Sequence, residues 1–238
     1  MRRGWFIAVL FCALLSPASA AVKKVKVFVA LCDNASQGIA PVPAKIGDGN
    51  QPAQNLYWGC SDGLASYFKA SKSWKLQPSP ATDDGTILER LFFTNAALDC
   101  ELTAEAWRGS EIAACLQAFE KALVAGEYQL VVFIGHNVLM DKAIDPPAPA
   151  AAKSCDAIVL CCKSDAYFRD RLTALKVRPI LLTQQLMYPG AFLLHDSLVP
   201  WSQGKGLTEI RQAAAQAYAR NQKISANAAL GIFKDLTK

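Results

Sequence analysis

Two uninterrupted apolar runs constrain this chain most: residues 129–134 (QLVVFI) and 156–160 (DAIVL). Each is short and lacks the alternation of a strand with one wet face. Runs of this kind belong to strands covered on both sides, the arrangement of parallel sheets packed between helices. Residues 25–31 (VKVFVAL), 87–94 (ILERLFFT) and 178–183 (RPILLT) supply further strands. Helical patterns separate them at 56–71, 103–125 and 165–176, and two more close the chain at 207–220 and 226–236. Within 103–125, Ile112, Leu116, Phe119 and Leu123 recur at spacings of three and four, and Ser164 reads as the N-cap of the helix over 165–176. No internal repeat interrupts this alternation. Strand following helix predicts an α/β fold, a three-layer sandwich around a mostly parallel central sheet.

The first twenty residues stand apart. Arg2 and Arg3 precede the apolar run FIAVLFCALL, and SPASA ends at Ala20. A basic start, an apolar stretch and small residues in that order are the pattern of a secretory signal peptide. Ten apolar residues rise only about 15 Å as a helix, while a membrane span needs roughly 20 residues. Cleavage after Ala20 is expected, leaving a single domain over residues 21–238 in the periplasm or outside the cell. The formal net charge of +5 falls to +3 without Arg2 and Arg3. The remaining basic residues are scattered, which argues against a nucleic-acid partner.

Seven cysteines follow Ala20: Cys32, Cys60, Cys100, Cys115, Cys155, Cys161 and Cys162. An oxidising compartment favours disulfides, with Cys32–Cys60 or Cys155–Cys161 as possible pairs, but an odd number leaves one thiol over. No zinc-ligand spacing occurs, and no metal or organic cofactor is implied. The segment KIGDGN (45–50) does not directly follow a strand and reads as a turn, not as a phosphate-binding loop.

In open α/β sheets, functional groups collect beyond the carboxyl ends of the strands. Asp33 and Asn34 follow the first strand, His136 and Asn137 follow QLVVFI, and Cys161 and Cys162 follow DAIVL. If the two apolar strands are neighbours, the imidazole and a thiol share one rim. A thiolate near an imidazole and a helix N-terminus suits nucleophilic catalysis. The plainer readings are a pair of core or disulfide cysteines, a dithiol for redox or soft-metal chemistry, and a turn at Asp33–Asn34. His195 and Asp196, in the apolar setting FLLHDSL, read as structural.

VVFIGHN (131–137) and AIVLCCKS (157–164) together resemble the caspase-like cysteine peptidases: caspases, legumains and gingipains. That family places histidine after one apolar strand and cysteine, behind a small residue, after the next. Legumain-like members carry an asparagine past the first strand, matched here by Asn34 in VFVALCDN. The order of strand, loop and apolar helix over 181–201 is similar as well. Position by position, the resemblance implies His136 as base, Cys162 as nucleophile and Asn34 as an orienting group. Cys161 takes the small-residue place, Asn137 stands where the family has glycine, and both, with Asp33, are candidate binding residues at the rim. The implied activity is hydrolysis of a peptide or protein substrate. The alternative is a non-catalytic relative that binds a partner or ligand at the same rim.

Overall fold

The computed structural model describes residues 21–79, 84–148 and 155–238. The signal-peptide expectation for residues 1–20 lies outside the described residues, as does part of the loop over 145–152. The chain forms β1 (Lys23–Ala30), α1 (Leu64–Ala70), β2 (Lys75–Gln77), β3 (Ile87–Asn95) and β4 (Cys100–Trp107). It continues through α2 (Ile112–Ala125), β5 (Leu130–Ile134), β6 (Asp156–Leu160), α3 (Ser164–Ala174) and β7 (Arg178–Leu181). Three helices end it: α4 (Phe192–Ser202), α5 (Leu207–Gln222) and α6 (Ala226–Leu230).

The strands make one seven-stranded sheet in the order β2-β3-β4-β1-β5-β6-β7. The five strands from β4 to β7 in that order run parallel, and β2 and β3 add an antiparallel edge. Alternate residues feed two cores. Val132, Ile134, Ile158 and Leu160 face α1, α4, α5 and α6. Val131, Phe133, Ala157 and Val159 face α2 and α3. With both faces covered, β5 and β6 are buried along almost their whole length, which is why their sequences show no polar alternation. The three-layer α/β sandwich with a mostly parallel sheet is the fold of this chain.

Four local expectations need correction, the simplest being the closing helix expected over 226–236, which ends at Leu230. Residues 103–107 are not helical: they complete β4, and helix α2 starts only at Ile112. Leu102, Ala104 and Ala106 are buried on one face of β4. This period of two outweighs the helix preference of its alanines and glutamates. The helix expected over 56–71 is confined to Leu64–Ala70. Ahead of it, Asn55 spends its side chain on Cys32 and Asp48 and its carbonyl on three successive amides, so the chain turns instead of coiling. Ser164 lies inside α3, and Lys163, at a φ of 51°, occupies the cap position. The Ser164 hydroxyl is turned inward to Val159 O at 2.9 Å and Thr183 Oγ1 at 3.2 Å, tying the helix start to β6 and to the segment after β7.

Candidate active site

Strands β5 and β6 are adjacent, parallel and in register, with Ile134 opposite Leu160. The residues that follow therefore leave the sheet at the same level. Gly135 makes the exit possible. Its φ of 154° suits glycine, and a Cβ there would come within 3.0 Å of Ala30 O on β1. The alternation of side chains along β6 then separates the paired cysteines. Cys161 is fully buried in the core under α2 and α3. Cys162 is half-buried and lines a pocket of about 420 Å³ together with His136.

His136 is held by a residue that sequence reasoning missed. A single 3-10 turn, Val138–Met140, brings Asp141 back beneath the ring, where Oδ2 lies 2.6 Å from His136 Nε2. The same oxygen accepts the Gly38 N–H at 2.8 Å. A side chain at position 38 would collide with this carboxylate, since a Cβ would sit 2.4 Å from Asp141 Oδ1. Burial pushes the Asp141 carboxyl up, but the Gly38 amide and the His136 ring pull it further down, below its ordinary value. An ionised Asp141 accepts from Nε2–H, which makes Nδ1 the basic nitrogen of a neutral ring. Among the described residues Nδ1 has no hydrogen-bond partner. The signal for Asp141 was present in the sequence as an aspartate one short turn past His136.

Asn137, the departure from the family pattern, is accounted for by its bonds. It is fully buried, donates from Nδ2 to Cys162 O at 2.7 Å, and caps the short turn by accepting Leu139 N–H at 3.2 Å. The side chain thus ties the histidine turn to the cysteine turn. Cys162 Sγ accepts the Met187 N–H at 3.4 Å and lies 3.5 Å from Met187 O. Lys163 N–H donates to Gln185 O at 2.9 Å, so the loop after β7 is laced to the cysteine turn.

Asn34 does not orient the imidazole. Its amide is consumed by Val42, donating to the carbonyl at 2.7 Å and accepting the N–H at 3.0 Å, which closes the loop that carries Ile39 and Ala40. Asp33 is also committed locally, to Ala35 N–H at 3.1 Å and Ser36 Oγ at 2.5 Å. Cys161, with its thiol pushed up by burial, lies in the core and not in the pocket. Of the residues singled out from sequence, the pocket lining brings together His136 and Cys162.

Seven described cysteines carry free thiols, Cys32 and Cys60 among them. Burial raises the Cys32 and Cys100 thiols to about 11 and Cys155 to about 12, and drives Cys115 and Cys161 upward as well. His195 works elsewhere: Nε2 bonds Ser71 Oγ and Nδ1 bonds Asp196 Oδ1, each at 2.9 Å, while Arg220 holds the other Asp196 oxygen. With its ring edge-on to Tyr67 and Phe68, this group fastens α1, α4 and α5 together. Among the described residues, no group of three His, Cys, Asp or Glu side chains is placed to hold a metal ion, and no helix is long and apolar enough to cross a membrane. Comparison with known protein families, curated proteins and solved structures gives no match to this chain.

Proposed function

We propose that this protein is an exported cysteine hydrolase of the caspase-like kind, with Cys162 as nucleophile, His136 as general base and Asp141 as the group that positions the base. The supporting observation is the in-register pairing of β5 and β6, which delivers an imidazole and a half-buried thiol to one pocket. It accords with the placement of histidine and cysteine after successive apolar strands, on which the resemblance of VVFIGHN and AIVLCCKS rests. Exit from the cytosol is supported by the composition of residues 1–20 alone.

In the proposed reaction His136 Nδ1 takes the Cys162 proton as sulfur attacks the carbonyl carbon of a peptide or amide. The carbonyl π pair moves onto oxygen. As it returns, the C–N bond breaks, and the imidazolium gives its proton to the departing amine. Water, deprotonated by the same ring, attacks the thioester; the acid leaves and the thiol is restored. The N–H groups of Asn137 and Cys162 have no hydrogen-bond partner among the described residues and are the donors available to the oxyanion.

The test is an electrophilic thiol probe on the exported, folded protein. Labelling beyond the background adduct at the accessible Cys60, located by mass spectrometry, should vanish in Cys162→Ala and persist in Cys161→Ala. It should also slow by roughly 10²–10⁴-fold in His136→Ala, the usual contribution of a general base. Equal labelling of all three variants would reject the assignment. A second reading, a non-catalytic relative that binds a ligand at this rim, draws on the Met187 contacts that already engage the Cys162 sulfur. It predicts that substrates bind without turnover.

A further inference from the structure

The pocket beside Cys162 has a chemistry that the proposed hydrolysis does not by itself require. Three loops build its walls. Ile39 comes from the loop after β1, Met140 from the turn after β5, and Leu186, Met187 and Pro189 from the loop after β7. Tyr57 also lines it, buried to 8% exposure. No aspartate, glutamate, lysine or arginine lines it. Burial pushes the Tyr57 phenol up, and its hydroxyl is shared in a hydrogen bond with the Cys32 thiol, so it offers a neutral surface. The Asp141 carboxylate behind His136 is already engaged by His136 and Gly38.

The rim repeats the pattern in the open. Leu186 is 62% exposed and Met140 39%, two of the few large apolar side chains the described surface shows to water. Both lie on the same pocket mouth. Neither wall is slack. Gln184 N–H donates to Ile232 O and Tyr188 N–H to the Tyr218 hydroxyl on one side; Asn34 and Val42 close the loop on the other. A preformed apolar cleft with exposed apolar lips loses unfavourable water contacts only when an apolar group fills it, whereas a charged group entering it finds no counter-charge.

We infer that this pocket selects peptides with an uncharged, apolar side chain at the residue whose carbonyl Cys162 attacks. The inference rests on the proposed Cys162–His136 chemistry and names the substrate class for it. Leu186 and Met140 are its specificity-determining residues, and the affinity comes from side-chain burial, not from an ion pair.

Peptidyl acyloxymethyl ketones identical except for leucine, aspartate or lysine next to the ketone test this on the full exported protein. Cys162 sulfur displaces the carboxylate leaving group, and mass spectrometry locates the adduct. The leucine probe should label Cys162 at least about 100-fold faster than either charged probe, the scale set by a missing pocket partner. Leu186→Arg, at a site exposed enough to leave folding intact, should narrow the leucine-to-aspartate ratio by 10-fold or more. Similar rates for the three probes, faster labelling by a charged one, or a ratio that ignores Leu186→Arg would overturn the specificity while leaving the thiol chemistry standing. A Cys162 that none of the ketones modifies would overturn both.

Discussion

Asp141 has two ties, one to the His136 ring and one to the Gly38 amide, and each makes a distinct prediction. Asp141→Asn keeps the size of the side chain but weakens its preference for Nε2–H, so the ring loses its fixed tautomer. We expect probe labelling of Cys162 to fall by about 10-fold or more, less than when a fully buried carboxylate behind a catalytic histidine becomes an amide, because Asp141 is partly open to water. The folded carboxyl lies below its ordinary value, so its stabilising contribution is present above about pH 4, near the unfolded value, and is lost as pH falls through the folded one. Thermal unfolding midpoints of wild type and Asp141→Asn should therefore differ at pH 7 and converge below pH 4. Persistent separation at low pH would contradict an ionised Asp141 as the acceptor of these hydrogen bonds. Position along the sequence revealed His136 and Cys162 because both follow apolar strands. The family resemblance pointed to Asn34 instead of Asp141 as the orienting group, because bonds across loops leave no periodic trace. The choice between Cys161 and Cys162 was legible in principle, since extending the two-residue period of β6 sends one inward and the other to the pocket.

Helices α2 and α3 cover the sheet face opposite α4 and α5, and a buried pair joins them. Arg171 Nε and Nη2 meet the Glu120 carboxylate at 2.6 and 3.0 Å, and the guanidinium also donates to the carbonyls of Ile144 and Asp145 at 3.0 and 2.9 Å. It thereby holds the segment that leads away from the His136 turn. Arg171→Met strands a buried carboxylate and two carbonyls, and should cost about 3–5 kcal/mol in urea unfolding. Arg171→Met combined with Glu120→Leu should recover much of that loss. A negligible single-mutant effect would mean the pair is solvated. At this scale the sequence was informative where burial was complete, as in β5 and β6, whose bounds follow directly from their apolar runs. It misled where residues of high helix preference lie in a strand, as Ala104, Glu105 and Ala106 do in β4, because lateral pairing with β1 and β3 decides their state.

Across the whole molecule, the thiols divide by depth. Cys60 and Cys162 are half-buried, and the remaining five are packed into the two cores. Because those five are packed away from solvent while Cys60 and Cys162 are reachable, brief alkylation with iodoacetamide at pH 8 should modify Cys60 and Cys162 in the folded protein and all seven after urea unfolding. Core labelling before unfolding would refute the packing described above. The sheet order, with β5 and β6 beside β1 near its middle, places three loop systems around one cleft. The shared carboxylate oxygen of Asp141 links two of them. A guest that levers Ile39 outward also drags the neighbouring amide of Gly38, and with it half of the grip that keeps the aspartate under its ring. Filling the cleft and aiming the imidazole are thereby geared together, so that what occupies the site adjusts the placement of the ring beside it.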